Sequence, residues 1–262
     1  GVAKVADQSE IDFGPSGTDT GMTIEFWVKH SGNSDPNAYL INKGSGNGGY
    51  LIRFIGSGNA PRLAVDIGVP SAFSDIGSVD LRSTRSIPAN QWVHVTVVSN
   101  PNGDLSLYLN GELAESISWG REVAGNNEDL YIGSNQGTSN FLDGQIDDVR
   151  IWKTNRFKFQ IQNNYLQELT NPGRESNLFA YYPFDSQNSG LTSDLGGSIN
   201  NSMELLGSAG LTGQGAVPTP PRTFATATTD VVPPTSEATV TWDPRVSGDG
   251  DNEASEFRVY RS

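Results

Sequence analysis

The strongest constraint on this chain is a pattern that recurs along it: short runs in which apolar and polar side chains alternate, each closed by Gly, Pro, Asn or Asp. In residues 23–29, Ile24, Phe26 and Val28 fall on one face and Glu25, Trp27 and Lys29 on the other. A period of two belongs to a strand with one face on a core and cannot be wound into a helix. Residues 39–42, 50–55, 62–67, 92–98, 105–109, 112–118 and 130–132 read the same way. Asn110-Gly111, between two of these runs, is the short hairpin signal, because both residues accept a positive φ. The 30 glycines and 14 prolines punctuate the strands. Residues 1–13 read as opening strands ending in Ile11 and Phe13, and 178–184 and 203–206 as closing ones. One segment departs from the pattern. In 157–169, Phe159, Gln162, Leu166 and Leu169 follow helical spacing and Pro172-Gly173 ends it, which predicts a short helix lying on the sheets. The class is therefore all-β, and 262 residues are enough to bury a core.

Composition excludes several functions. A net charge of −13 would repel phosphates over the whole surface, which argues against nucleic-acid or anionic-membrane partners. No apolar run is long enough to span a bilayer, so no membrane insertion is expected. The absence of cysteine removes disulfides, thiolate metal sites and a cysteine nucleophile. The first ten residues, GVAKVADQSE, have neither the basic start nor the apolar run of a secretory signal, so a signal would have to lie outside this chain.

The stretch DGQIDDVRIWK, residues 143–153, joins a strand to the best chemical signal. Val149 and Ile151 alternate with Arg150 and Trp152, while Asp147 and Asp148 stand side by side. Adjacent carboxylates on a strand point to opposite faces and cannot act on one atom. Ile146 is out of phase with Val149 and Ile151, which predicts a bulge at the aspartates.

Taken together, TIEFWVKH (23–30), LINKG (40–44), QWVHVTVV (91–98), LSLYLNGEL (105–113), LYIGSN (130–135) and FLDGQIDDVRIW (141–152) resemble the laminin G-like branch of the concanavalin A-like lectin/glucanase fold. The following helix and NLFAYYPFD (177–185) resemble the closing elements of bacterial members, so the likeness covers roughly residues 1–210. It implies a two-sheet antiparallel jelly-roll sandwich with one short helix. At the far end PTPPRTFATATTD, TVTWDP and SEFRVYRS resemble the first strands of a fibronectin type III domain, with Trp242 in its core position. The expected organisation is a laminin G-like sandwich over 1–215, a stiff Pro-rich linker over 216–221, and an incomplete immunoglobulin-like β-sandwich over 222–262.

The resemblance also implies a structural calcium. Glucanases of this fold carry a strand D-x-V-x-V, matched here with Asp147 as ligand, which backbone carbonyls of the N-terminal segment would join; a hydrogen-bonded turn aspartate is the competing reading. Asp194 with Asn200, in SDLGGSINNS, loosely matches a second calcium-linked segment, but a polar surface loop is the better reading. SNQG (134–137), where pentraxins hold a double calcium site, lacks a carboxylate, and GDGDNEASE (248–256) lacks the bidentate glutamate of an EF-hand. Glu10-Ile11-Asp12-Phe13 resembles the start of the glucanase motif E-I-D-x-E, but Gly14 stands where the second glutamate belongs, so no catalytic residues are assigned. His30 and His94 have no nucleophile or ligand motif beside them. For a glycan, Trp119 opens a polar loop with Arg121, Asn126 and Asn127, a stacking ring beside hydroxyl-binding groups; the alternative is an indole folded back over the sandwich edge. Tyr39 and Phe73 are weaker aromatic candidates. The expected function is a non-catalytic extracellular or cell-surface module that binds a glycan or an extracellular protein, within a larger secreted or surface-attached bacterial protein. A structural spacer of a secreted enzyme is the alternative, and glycoside hydrolysis the remaining one.

Overall fold

The alternation at residues 23–29 is resolved in the computed structural model, which describes residues 1–8, 11–13, 21–44, 48–56, 58–68, 78–120, 123–185, 187–188, 191–196, 202–211, 227–228 and 239–240. Ile24, Phe26 and Val28 lose all solvent exposure to the core, so the strand is fixed by the face it buries. The strands are β1 (Val2–Val5), β2 (Met22–His30), β3 (Tyr39–Lys43), β4 (Tyr50–Ile55), β5 (Arg62–Gly68), β6 (Ser78–Ser86), β7 (Val93–Ser99), β8 (Asp104–Leu109), β9 (Glu112–Ser118), β10 (Leu130–Ile132), β11 (Gly144–Trp152), β12 (Leu178–Tyr182), β13 (Gln187–Asn188), β14 (Leu191–Thr192) and β15 (Met203–Leu206). Among the described residues they form a nine-stranded sheet, β13-β14-β15-β1-β10-β3-β4-β5-β6, and a six-stranded sheet, β12-β11-β2-β7-β8-β9, antiparallel throughout. One continuous core runs between them, with Phe26, Ile41, Phe54, Val95, Leu107 and Ile151 among its buried members. This is the jelly-roll sandwich expected from the sequence.

The Asn110-Gly111 turn joins β8 to β9 with φ of 51° and 76°, both in the left-handed region. Asn110 also locks the turn to the neighbouring strand β7, its Oδ1 accepting the His94 N–H at 2.8 Å. Three strands were not visible in the sequence: the two-residue β13 and β14, and β6, SVDLRSTRS, which pairs with β5 at the edge of the larger sheet. The chain clusters into two units, Gly1–Pro218 and Thr219–Ser262. In the second, Ala227–Thr228 pairs antiparallel with Thr239–Val240, and Trp242 and residues 248–256 lie outside the described residues.

The helix α1 (Lys158–Asn164) is shorter than the predicted segment. Its first turn is closed by Gln160 Oε1 accepting the Phe157 N–H at 2.9 Å. Beyond Asn164 the carbonyls turn to another partner. Arg150 donates to the carbonyls of Asn164, at 3.1 Å, and Gln167, which satisfies helix-end acceptors and stops propagation. This segment covers the outer face of the six-stranded sheet, so Glu25, Trp27 and His94 are buried although they point away from the main core. Between sheet and helix lies a charged layer. Arg156 Nη1 stands 2.6 Å from Glu25 Oε1, Arg150 pairs with Asp148 at 2.5 Å, Trp27 packs on Tyr165 with centroids 6.1 Å apart, and Arg156 covers Trp152 at 4.1 Å. No helix among the described residues is long and apolar enough to cross a membrane.

Candidate functional site

At one end of the sandwich, where β1, β10, β11 and β15 meet the turns around them, the two sheets leave a cavity of about 460 Å³. Leu142, Ile146, Phe184 and Leu205 give it apolar wall, and Asp143, Gln145, Asp147 and Asp185 bring polar groups, with Gly1, Val2 and Ala3 completing the rim. Asp143 is positioned from both sides: its Oδ2 accepts the Ser31 hydroxyl at 2.7 Å and its N–H donates to Ser34 Oγ at 3.1 Å. Phe184 has a φ of 58°, a conformation a bulky residue adopts only when its surroundings impose it. Its ring leans on Tyr182, with centroids 6.4 Å apart.

The bulge anticipated at the two aspartates is present. Asp147 lies opposite Trp27 and Arg150 opposite Glu25, so Asp148 and Val149 share the single residue between. Asp148 takes a φ of 52° there. The bulge puts Ile146 against the same core as Val149 and Ile151 despite the broken phase. Asp147 lines the cavity, with Oδ1 accepting the Asp148 N–H at 2.9 Å, whereas Asp148 directs its carboxylate to Arg150 and Tyr181 beneath the helix. Burial pushes the Asp148 carboxyl up to about 7, opposed by the pull of Arg150 and Tyr181. Burial, with the nearby Arg150 and Arg156 charges, holds the His94 imidazole well below its ordinary range, so the ring is neutral.

The other sequence candidates scatter. Trp119 is only 7% exposed and its indole belongs to the core cluster, so the ring has no free stacking face. Arg121 lies outside the described residues. Asn127 is exposed, but Asn126 is tied inward: its Nδ2 donates to the Lys43 carbonyl at 2.9 Å and its Oδ1 accepts the Glu128 N–H at 3.0 Å. Asp194 Oδ1 accepts the N–H groups of Tyr181 at 2.8 Å and Gly196 at 2.7 Å, and burial pushes its carboxyl up to about 6. Asn200, Glu10 and Phe73 lie outside the described residues. Ile11 and Phe13 are core, and Asp12 pairs with Lys43 at 2.9 Å. His30 is structural, its Nε2 3.0 Å from the Ile87 carbonyl.

Sequence reasoning missed Asp143, Gln145, Phe184 and Asp185 as cavity residues. They meet only because β11 and the end of β12 run together beside the start of β1, and no local spacing announces that. Among the described residues, no three His, Asp or Glu side chains stand together as a ready metal cage.

Against known families, a profile of the concanavalin A-like lectin/glucanases superfamily matches residues 6–162. A search of curated proteins finds no match. Among solved structures, a Bacteroides ovatus protein proposed to bind carbohydrate is 22% identical, with a TM-score of 0.57 over 81% of this chain and 60% of that one. This chain thus spans about 60% of that protein's length. Domain 4 of AbnA, a GH43 extracellular arabinanase from Geobacillus stearothermophilus, solved with arabinotriose, is 20% identical with a TM-score of 0.44 over 61% of this chain and 70% of that one. A heptameric SAP-like pentraxin from Limulus polyphemus is 15% identical with a TM-score of 0.42, covering 62% and 79%. At these identities the likeness is one of fold.

Proposed function

The chain belongs to the concanavalin A-like lectin/glucanases superfamily, and on that premise we propose that residues 1–215 form a non-catalytic module that binds a glycan or an extracellular protein. The parent would be a larger secreted or surface-attached bacterial protein. The cavity at the sandwich end carries this reading. Its 460 Å³ lies within the range of small-ligand sites, and apolar wall beside convergent carboxylates suits a sugar, whose ring has apolar faces and a rim of hydroxyls. The fold shared with the Bacteroides ovatus protein supports a glycan over a protein ligand.

Glycosidic cleavage needs two carboxylates flanking the bond, one kept protonated by its surroundings. Among the described residues, the carboxyls that burial raises, Asp66, Asp148 and Asp194, are held by ion pairs with Arg53 and Arg150 and by backbone N–H groups, and none is part of the cavity wall. That favours binding without turnover.

The reading includes a structural calcium at Asp147. Asp147 and residues 1–3 line the same cavity, which supports a carboxylate of β11 and carbonyls of the N-terminal segment as the donors. With no ready cage of three carboxylates among the described residues, the fit is to calcium held by one carboxylate, backbone carbonyls and water.

A glycan array followed by calorimetry tests the function. Asp185→Ala and Phe184→Ala should each weaken a bound glycan about tenfold or more while leaving the fold intact, the loss of a good polar or stacking contact. Silence on arrays and in pull-downs, with the parent's activity altered when the module is deleted, would replace this reading with that of a spacer.

A further inference from the structure

Lys43, on β3, keeps no solvent-exposed side-chain surface. Its Nζ stands 2.8 Å from Asp7 Oδ1 and 2.9 Å from Asp12 Oδ1, donates to the Glu128 carbonyl at 2.6 Å, and reaches Asn126 Oδ1 at 3.4 Å. The Asn126 carboxamide is held as firmly, by the Glu128 N–H on its oxygen and the Lys43 carbonyl on its nitrogen. Gly44 and Gly49, with φ of 83° and 82°, press bare backbone against it; a Cβ on either would fall 2.1 or 2.3 Å from Asn126 Nδ2. One shielded place thus holds a primary amine, two carboxylates that can take its protons, and an amide carbonyl polarised by a backbone N–H. These are the parts of an intramolecular amide exchange.

We infer that Lys43 and Asn126 form an isopeptide bond. Asp12 takes a proton from the ammonium and frees the Nζ lone pair, which attacks Cγ of Asn126. The Glu128 N–H, already on Oδ1, holds the charge that develops on that oxygen. The new Cγ–Nζ bond forms and Cγ–Nδ2 breaks. Two of the three ammonium protons travel through the carboxylates to Nδ2, which departs as ammonium. One amide replaces another, so no oxidant, cofactor or second substrate is needed. The reaction need happen only once per molecule, and held proximity favours it. The bond would tie β3 to the segment before β10 and close a long loop in the unfolded chain, stabilising as a cross-link does.

Intact mass spectrometry of the denatured full chain decides the matter. The expected mass is that of the sequence less one ammonia, with a branched peptide joining the Lys43 and Asn126 segments after digestion. Lys43→Arg and Asn126→Ala should restore the full mass and linear peptides, and Asp12→Asn should slow or abolish the link. The wild-type measurement stands even where a variant fails to fold. A full-sequence mass overturns the inference. So does a missing ammonia with linear peptides at 43 and 126, or a missing water with Lys43 joined to Asp7 or Asp12.

Discussion

Asp194 has two backbone N–H groups on one oxygen and, among the described residues, no cation paired with it, so burial governs it and raises its carboxyl from 3.8 to about 6. The folded state then binds more protons than the unfolded one between about pH 4 and pH 6. Stability is present in full below that window and falls as pH rises through it. Asp194→Asn keeps an acceptor for both N–H groups and removes the charge. It should be more stable than the parent at pH 7 by on the order of 1–2 kcal/mol, after discounting for partial exposure, and equal to it at pH 3.5; urea melts at both values check this. The opposite outcome, a loss at pH 7 that appears only with calcium, would make Asp194 the metal ligand that the sequence suggested. Trp119→Ala should cost about 3–5 kcal/mol by emptying core volume, and any loss of ligand binding should track the unfolded fraction. The sequence did separate Asp147 from Asp148, because the slipped phase of Ile146 is a local signal. It left Trp119 open, because an indole before a glycine looks the same whether strands distant in sequence cover it or not.

The segment built around α1 is an element whose length and role were only half legible. Helical spacing showed that it exists. Its end is set by Arg150, on β11, and the charged layer it covers is assembled from β2, β7 and β11. Glu25 is buried with Arg156 as its close cation, so Arg156→Ala leaves an uncompensated charge and should cost about 3–5 kcal/mol in chemical denaturation. Replacing both Glu25 and Arg156 by methionine should cost far less than the single change, since desolvation penalises the lone ion more than the lost pair. A double variant as unstable as the single one would mean that the pair holds the segment in place. β6 escaped sequence reading for a different reason: Asp80 and Arg82 keep to the exposed row, but the buried row passes from Leu81 to a polar Ser83, so the apolar alternation is too short to read.

At the scale of the molecule, a chain of net charge −13 gains stability from any cation through screening. A rise in Tm with calcium is therefore informative only beyond the rise that magnesium gives at the same concentration. The expected result is an excess shift for calcium that grows with its concentration and disappears in Asp147→Ala; equal shifts for both ions would remove the calcium site. The sandwich itself was readable because most of its longer strands repeat the same two-residue period. The cavity was not, because it gathers residues near 1, 144, 184 and 205 that no spacing links. The two neighbouring edge strands, β6 and β9, have one more consequence. Asp80, Arg82, Glu112 and Glu115 stud them with charge, so a second copy cannot zip its backbone onto either rim without burying ions. Copies brought close together would then not polymerise into fibres through these two rims.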